Sequence, residues 1–413
     1  MENMSNIEFK PYSEQFAANP YLVYAQLRDQ SPIFFDADWG VTFATTHEDI
    51  SRLLVHKSLG RTLDNVLEPD QAQARRETEV WADLPNYRRY IASNLLETEG
   101  EDHLRLRRLL VKGFTSAQIE HQRAGIQTLV DQSIDRVVAK GGMDFLEDLV
   151  APVTVSVIGR LLGLPDSDHS RLRPWSADIV RLYEKDLCAA DIQAAELATT
   201  QFVEYLTDLL EQRRSHPRED LISVLAQVED DGLMLKNDEL ISTCILLLNA
   251  GHESTVNAAG NGMLALLNNP EQLEKLAESP ELTDSAVEEM LRYDPPLQYF
   301  HRYVLEDFEY KGHSFKKGET LGFLYGSANR DPLAFENPDQ FDITRAPNKH
   351  LAFGKGRHFC MGAQLARLEL EIVFTTMLRR FPHIRLSDQV PEHHMGLVFR
   401  GLKALQLKWD VVE

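Results

Sequence analysis

The segment from Phe353 to Gly362 constrains the chain most strongly, because it places a cysteine at the end of a glycine-rich turn. It reads Phe-Gly-Lys-Gly-Arg-His-Phe-Cys-Met-Gly, and its glycines permit positive φ angles and a close approach of the backbone to a flat group. A helical pattern follows Cys360, so the side chain meets the unpaired N–H groups and partial positive charge of a helix start. This setting favours a thiolate, the form of cysteine that binds metals.

Taken alone, a single cysteine is more often a buried core thiol than a ligand, but the spacing within this segment favours the ligand. A thiolate behind two phenylalanines suits an axial ligand that pushes electron density onto haem iron. The segment resembles the haem-binding signature of the cytochrome P450 family, and the matching positions are Phe353, Gly354, Gly356, His358, Cys360 and Gly362. The resemblance implies haem b, iron protoporphyrin IX, with Cys360 as axial ligand of the iron and His358 within reach of a propionate.

Composition and patterning predict mainly α structure with small β-sheets. The chain has 413 residues, of which 43% are hydrophobic, so it can bury an extensive core. Long helical patterns outnumber strand-like ones, and no Pro/Gly/Ser-rich linker or repeat divides the chain. We therefore expect residues 1–413 to form a single haem-thiolate domain with the cytochrome P450 fold, in which a long central helix lies over the haem.

Charge and cysteine usage argue against several kinds of partner. The net charge of −21 disfavours a nucleic acid or an anionic membrane surface as the main partner. No signal peptide pattern is present at the N-terminus, and no apolar run approaches the length of a membrane span. Three cysteines without close pairing, Cys188, Cys244 and Cys360, favour a reducing compartment. A soluble, cytoplasmic protein is expected.

The helical pattern at residues 101–114 carries basic side chains on two faces. At 100° per residue, His103 and Arg107 share one face. The opposite basic face is formed by Arg105, Arg108 and Lys112. A solvated face is the ordinary explanation for such a helix. The family resemblance implies instead that His103 and Arg107 bind the haem propionates, and it leaves the second face open between solvent and an acidic partner.

A long helical pattern begins at Asn237, a residue suited to cap a helix, and runs to about Asn269. At its centre, residues 250–255 read Ala-Gly-His-Glu-Ser-Thr, and glycine beside two hydroxyl residues disfavours a regular helix. We therefore expect a loosened turn here. An acid and an alcohol in such a turn can hold dioxygen and ordered water and relay protons.

These six residues resemble the oxygen-activating motif of the same family. The resemblance implies that Gly251 belongs to the cofactor site and that the catalytic residues are Glu253, Ser254 and Thr255. The chain departs from the commonest motif at Ser254, which keeps the hydroxyl group but lacks the methyl group that restricts threonine rotamers. Without the cysteine segment, such a string would more often be an ordinary irregularity of a helix.

A strand expected after Pro295 supplies further candidates. The resemblance implies that Arg302 is a third cationic ligand of the propionates. Substrate contacts are expected from this strand and from the central helix, and the candidates are Leu247, Ala250, Leu297, Gln298 and Phe300.

Glu289 and Arg292 form a Glu-x-x-Arg pair, which usually decorates a solvated helix face. In the family the matching pair is buried with a later arginine, and Arg345 stands in the corresponding context. The implied role is structural, because a buried ion network needs all its partners.

Together these features predict a haem-thiolate monooxygenase that inserts one oxygen atom from dioxygen into a small, largely apolar organic molecule. No flavin-binding or cysteine-rich ferredoxin segment is found, so an external acidic ferredoxin and its reductase are expected to supply two electrons. One alternative is a peroxide-dependent peroxygenase, which the acid and alcohol of the motif disfavour because peroxide arrives already protonated. Another is a non-catalytic haem sensor or binding protein.

Overall fold

The structure is a computed structural model and describes residues 7–64, 66–92, 94–230 and 232–411. The prediction of a mainly α protein with small sheets is confirmed. The α-helices are α1 Glu14–Ala18, α2 Tyr21–Gln30, α3 His47–Leu53, α4 Pro69–Arg76, α5 Pro85–Tyr90, α6 Gly100–Val111, α7 Ser116–His121, α8 Arg123–Asp135, α9 Ala151–Leu162, α10 His169–Val180, α11 Ala189–Ser215, α12 Leu221–Gln227, α13 Asn237–Leu267, α14 Pro270–Glu278, α15 Thr283–Tyr293, α16 Tyr325–Ala328 and α17 Ala363–Arg380. In the described ranges, no helix is both long enough and apolar enough to span a membrane.

Within the described residues, the strands are short and form four small sheets. They are β1 Ile33–Asp36, β2 Val41–Ala44, β3 Leu59–Gly60, β4 Gly142–Asp144, β5 Glu229–Asp230, β6 Leu233–Met234, β7 Tyr299–Val304, β8 Phe308–Tyr310, β9 His313–Phe315, β10 Thr320–Leu324, β11 Arg385–Leu386 and β12 Gln406–Lys408. The largest sheet has the order β1-β2-β10-β7-β3, and a second has the order β11-β12-β4. The pairs β5-β6 and β8-β9 are two-stranded.

The described chain packs as two compact units. Unit 1 comprises residues 7–59, 126–152 and 254–411, and unit 2 comprises residues 60–125 and 153–253. In unit 1, β10 pairs in parallel with β2 and antiparallel with β7. The apolar faces of these strands are buried with α3 in a core that includes Ala44, Ile50, Leu53, Val304 and Phe323. This sheet fixes β7, the strand that carries Arg302.

A buried ion network lies at the C-terminal end of α15 in unit 1. The Glu289 carboxylate accepts two hydrogen bonds from Arg292, at 2.7 and 2.8 Å, and both residues are fully buried. Arg345 Nε donates to both oxygens of the same carboxylate at 3.2 and 3.1 Å. Arg292 also donates to the carbonyl groups of Asn329 and Pro338, at 2.8 Å each. The structure therefore brings the three network residues together and ties them to the chain that precedes the cysteine segment.

In unit 2, α11 packs against α10, α5 and α12. The N-terminus of α5 is held by one side chain of α11, because the backbone N–H groups of Asn86 and Tyr87 donate to the two carboxylate oxygens of Glu196 at 2.9 Å. A carboxylate at this position also interacts favourably with the positive end of the helix. Residues 66–92 are partly helical and contain α4 and α5.

The long helix α13 runs from Asn237 to Leu267 as one α-helix of 31 residues. The expectation of a loosened turn at residues 250–255 is therefore wrong. Packing in unit 2 explains the glycine instead, because a Cβ atom at Gly251 would lie 2.7 Å from Ile158 Cδ1 of α9. Glycine here allows a neighbouring helix to approach, and this requirement offsets the roughly 1 kcal/mol that glycine costs in the interior of a helix.

Candidate active site

The cysteine segment forms a compact loop that ends directly before α17. Gly354 N donates to Leu351 O at 2.8 Å, and Gly354 and Gly356 adopt φ angles of +68° and +78°. A 3-10 turn covers Gly356–His358. The loop is closed where Cys360 N donates to Phe353 O at 3.0 Å. Since Ala363 is the first residue of α17, Cys360 is presented close to a helix N-terminus.

The glycines of this loop have two different functions. A Cβ atom at Gly356 would lie 3.0 Å from Val55 Cγ1 and 3.2 Å from Leu54 O, so this glycine permits close packing within unit 1. At Gly362 a Cβ atom would have no described heavy atom within 4 Å, and at Gly354 it would meet only the Tyr325 hydroxyl group, at 3.8 Å. Open space beside these two glycines and the exposure of Cys360 fit a flat cofactor.

The other two cysteines have different surroundings. Cys244 is buried in α13, and desolvation raises the pKa of its thiol to about 12, so it remains a neutral core residue. Cys188 is exposed at the N-cap of α11, outside any glycine loop. Cys360 alone combines exposure with the loop that the sequence pattern predicts.

Arg302 is buried on β7, where only 4% of the residue is exposed, and it pairs with Leu321 of β10. Its Nη1 atom donates to His301 O at 2.9 Å, and its guanidinium carbon lies 5.7 Å from the centre of the half-buried Phe300 ring. A buried cation on a rigid strand is suited to binding an anionic group. Phe353 and His358 are half-buried in the cysteine segment of the same unit.

The chain before β7 pairs with a loop near the C-terminus. Gln298 N donates to Val398 O at 2.9 Å, and Arg400 N donates to Pro296 O at 2.8 Å. Leu297 therefore lies opposite Phe399 in an antiparallel bridge. The Gln298 side chain is buried and donates to Pro295 O at 2.8 Å, so part of its hydrogen-bonding capacity is used within unit 1.

The basic side chains of α6 have three environments. His103 is fully buried, and Arg107 on the next turn is half-buried. Arg105 is half-buried and forms an ion pair with Glu239 at the start of α13. The interpretation of Arg105 as part of an outward basic face is therefore wrong. The exposed face instead combines one acidic, two basic and two apolar residues, Glu101, Leu104, Arg108, Val111 and Lys112.

One side of α13 remains accessible while the rest of its central part is buried. Between Leu240 and Met263, the residues that are not buried are Leu246, Leu247, Ala250, Gly251, Glu253, Ser254 and Asn257. Thr255 is buried, about 100° further round the helix. Of the two hydroxyl residues in the motif, Ser254 therefore lies on the accessible side together with the acid and the apolar pocket candidates.

A second ion cluster in unit 1, next to the Glu289 network, was not predicted from the sequence. Glu288 of α15 accepts hydrogen bonds from Arg367 of α17 at 2.5 and 2.9 Å, and it lies 3.2 Å from His350 Nε2. The Arg367 guanidinium group lies 4.5 Å from the centre of the Phe353 ring. Burial alone would raise the pKa of Glu288, but the hydrogen bonds of His350 and Arg367 outweigh it and lower the pKa to about 2. This cluster joins α15, α17 and the first residue of the cysteine segment.

The fold and these residues define a haem-thiolate protein. Residues 187–409 match the model of the family described as Cytochrome P450. The polyketide biosynthesis cytochrome P450 PksS of Bacillus subtilis (strain 168) is 35% identical over 97% of this chain and 98% of its own length. The cytochrome P450 monooxygenase PikC of Streptomyces venezuelae is 35% identical over 96% of this chain and 92% of its own length.

Among solved structures, P450BioI in complex with an acyl carrier protein ligated with hexadec-9Z-enoic acid superposes with a TM-score of 0.89. It is 34% identical, and the match covers 96% of this chain and 99% of that chain. The chain therefore belongs to the cytochrome P450 family. It is a haem-thiolate monooxygenase, an oxidoreductase that acts on an organic substrate with dioxygen and has iron protoporphyrin IX as its cofactor.

We expect Glu288→Gln to lower the free energy of unfolding at neutral pH, because Arg367 and His350 lose the charge on which they converge. The pKa of Glu288 lies below its ordinary value of 4.5, so the carboxylate contributes stability above that value and loses it as the pH falls towards about 2. The deficit of the variant should therefore shrink between about pH 5 and about pH 3.

Denaturant unfolding of both proteins across this range measures the deficit. Glu278→Gln, at an exposed position of α14, is the matched control and should show little effect at any pH. A deficit that stays constant over the range would contradict the role given to the Glu288 charge.

Proposed function

We propose that the chain oxidises a small, largely apolar organic molecule that lies along the accessible side of α13, with Cys360 as the axial ligand of the haem iron. The observation that carries this proposal is the apolar part of that side, Leu247 and Ala250, on the turns directly before the acid and the alcohol. Leu297 and Phe300 are further candidates for substrate contact. The acyl chain named in the P450BioI complex supports an apolar substrate.

Three kinds of group would hold the cofactor: a cysteine sulfur, residues that pack against the macrocycle, and side chains that bind the propionates. Cys360 would bind the iron, with Phe353, Gly354 and Gly251 against the macrocycle. The propionates would be bound by His103, Arg107, Arg302 and His358. Arg302 is a buried cation and His103 is a buried imidazole, and both side chains carry donors that suit an anionic group. When bound, the haem supplies the redox chemistry of dioxygen activation.

Exchange of the cysteines tests the ligand assignment. We expect Cys360→Ala to fold and to fail to give a thiolate-type spectrum of the reduced carbon monoxide complex, because neither other cysteine has the glycine loop. Cys188→Ala and Cys244→Ala are the matched controls and should keep that spectrum. A thiolate-type spectrum from Cys360→Ala would overturn the proposal.

Within this reaction, Glu253 and Ser254 would deliver protons to dioxygen as it is reduced. Both residues are half-buried on the accessible side of α13, where a carboxyl group and a hydroxyl group can exchange protons through water. Thr255 is buried, so we assign it a supporting role in this part of the helix. A peroxide-dependent reaction would need no such relay, and a haem sensor would give no product.

We expect Glu253→Gln combined with Ser254→Ala to bind haem and substrate but to release most of the electrons consumed as peroxide. General acid–base groups of this kind typically contribute 10²–10⁴-fold to a rate. The measurement is product formed per electron consumed, together with peroxide released. An unchanged product ratio would contradict the relay role. Product formed from added peroxide without any electron donor would favour the peroxygenase.

An external acidic ferredoxin, with its reductase, would supply the electrons through the exposed face of α6. Glu101 lies at the N-terminal end of this face, and towards the C-terminal end Arg108 and Lys112 stand beside the exposed apolar residues Leu104 and Val111, a mixture suited to an acidic protein partner. Since the chain has a net charge of −21, an acidic donor needs a local basic surface to approach.

Two further expectations stay predictions. They are that residues 1–413 form one domain and that the protein is cytoplasmic.

We expect Arg108→Glu with Lys112→Glu to slow electron transfer from an acidic ferredoxin and to flatten its dependence on salt. Electrostatic steering raises association rates by about 10 to 10³, and salt screens that gain. Stopped-flow reduction at several ionic strengths measures both effects. Arg136→Glu with Lys140→Glu, also exposed and four residues apart, is the matched control. Equal behaviour of the two double variants would place the donor elsewhere.

A further inference from the structure

A buried histidine precedes the acid of the motif and is tied to the neighbouring helix of unit 2. Only 1% of His252 is exposed, and the same holds for Thr154 of α9. The Thr154 hydroxyl oxygen lies 2.8 Å from His252 Nδ1. Thr154 and Ile158 are four residues apart and so lie on one face of α9, and Ile158 is the residue that Gly251 allows to approach. The histidine ring is therefore held between two helices.

The second ring nitrogen faces the acid. His252 Nε2 lies 3.6 Å from Glu253 Oε1, just beyond hydrogen-bond length. Successive residues of a helix normally point about 100° apart and do not face each other, so this approach depends on how the ring is oriented. Catalytic hydrogen bonds are often long in the absence of bound substrate and shorten when it binds. The Thr154 hydroxyl group is thus placed to orient the His252 ring, and the ring in turn faces the Glu253 carboxylate.

We propose that His252 is a positioning residue for Glu253, oriented by Thr154; this proposal rests on the relay role given to Glu253 above. The Thr154 hydroxyl group donates to Nδ1, so the neutral ring carries its hydrogen on Nε2 and directs that N–H group at the carboxylate. The carboxyl group is thereby held in one position on the accessible side of α13, where proton transfer through water requires it. No proton is gained or lost by the ring in this arrangement.

Thr154→Val tests the proposal with little change of volume, because it removes the hydroxyl group and leaves the ring in place. We expect product per electron consumed to fall about three- to tenfold, the factor that corresponds to one ordinary hydrogen bond, while substrate affinity is kept. Thr154→Ser should restore most of the ratio. Thr199→Val is the matched control, because it removes another buried threonine hydroxyl group of unit 2, one that donates to Ala195 O.

A second readout does not depend on turnover. In the reduced, carbon monoxide-bound protein labelled with ¹⁵N-histidine, the nitrogen shifts of His252 report which ring nitrogen carries the hydrogen. We expect hydrogen on Nε2 in the wild type and in Thr154→Ser, and a mixture of tautomers in Thr154→Val. The resonance is assigned by its loss in His252→Asn. A wild-type ring with hydrogen on Nδ1 would overturn the proposal.

A double-variant comparison separates this proposal from the relay itself. If His252 acts through Glu253, then His252→Asn lowers product per electron in the wild type and adds little in the Glu253→Gln background. If His252→Asn lowered product per electron by the same factor in both backgrounds, His252 would act independently of Glu253. That result would overturn the positioning role. A normal product ratio for Glu253→Gln alone would instead reject the relay on which the proposal rests.

Discussion

The cysteine segment depends on two adjacent carboxylates of α15 that are directed at different parts of unit 1. Glu289 binds the fully buried Arg292 and the half-buried Arg345, and through Arg292 it is tied to the chain that leads towards the cysteine segment. Glu288 binds Arg367, which packs on the Phe353 ring at the start of that segment. Charges removed from water are stabilised only when every partner is in place. Both clusters therefore support chain segments that lead into the cysteine segment.

Sequence reasoning finds features that are encoded within a few neighbouring residues, and the family resemblance adds the more distant partner Arg345, which lies 56 residues from Glu289. The glycine loop before Cys360 and the long pattern of α13 belong to this kind, since each depends on local backbone preferences. The Glu288 cluster was missed because its partners, His350 and Arg367, are 62 and 79 residues away along the chain, and no local pattern marks them. Arg105 was misassigned for the same reason, because helical periodicity cannot reveal that Glu239 lies beside it.

Gly251 was expected to loosen the helix, but the structure gives a packing reason for a glycine at this position. Propensity alone treats a glycine in the middle of a helix as a weak point. In unit 2 it instead leaves room for the Ile158 side chain of α9, and the helix continues unbroken. Thr154 of the same helix contacts His252. The neighbours Gly251 and His252 therefore both face α9, the first through packing and the second through a polar contact. The surroundings proposed for Glu253 therefore depend on the contact between α9 and α13.

The contrast among the three thiols gives the protein a natural site for chemical labelling. Cys244 is buried and stays protonated, and Cys360 is the proposed ligand of the haem iron, which would cover it in the loaded protein. Cys188 remains exposed at the start of α11. A maleimide dye should therefore attach at a single position without any engineered cysteine. Fluorescence from that dye would follow the N-terminal end of α11 directly as ligands are added.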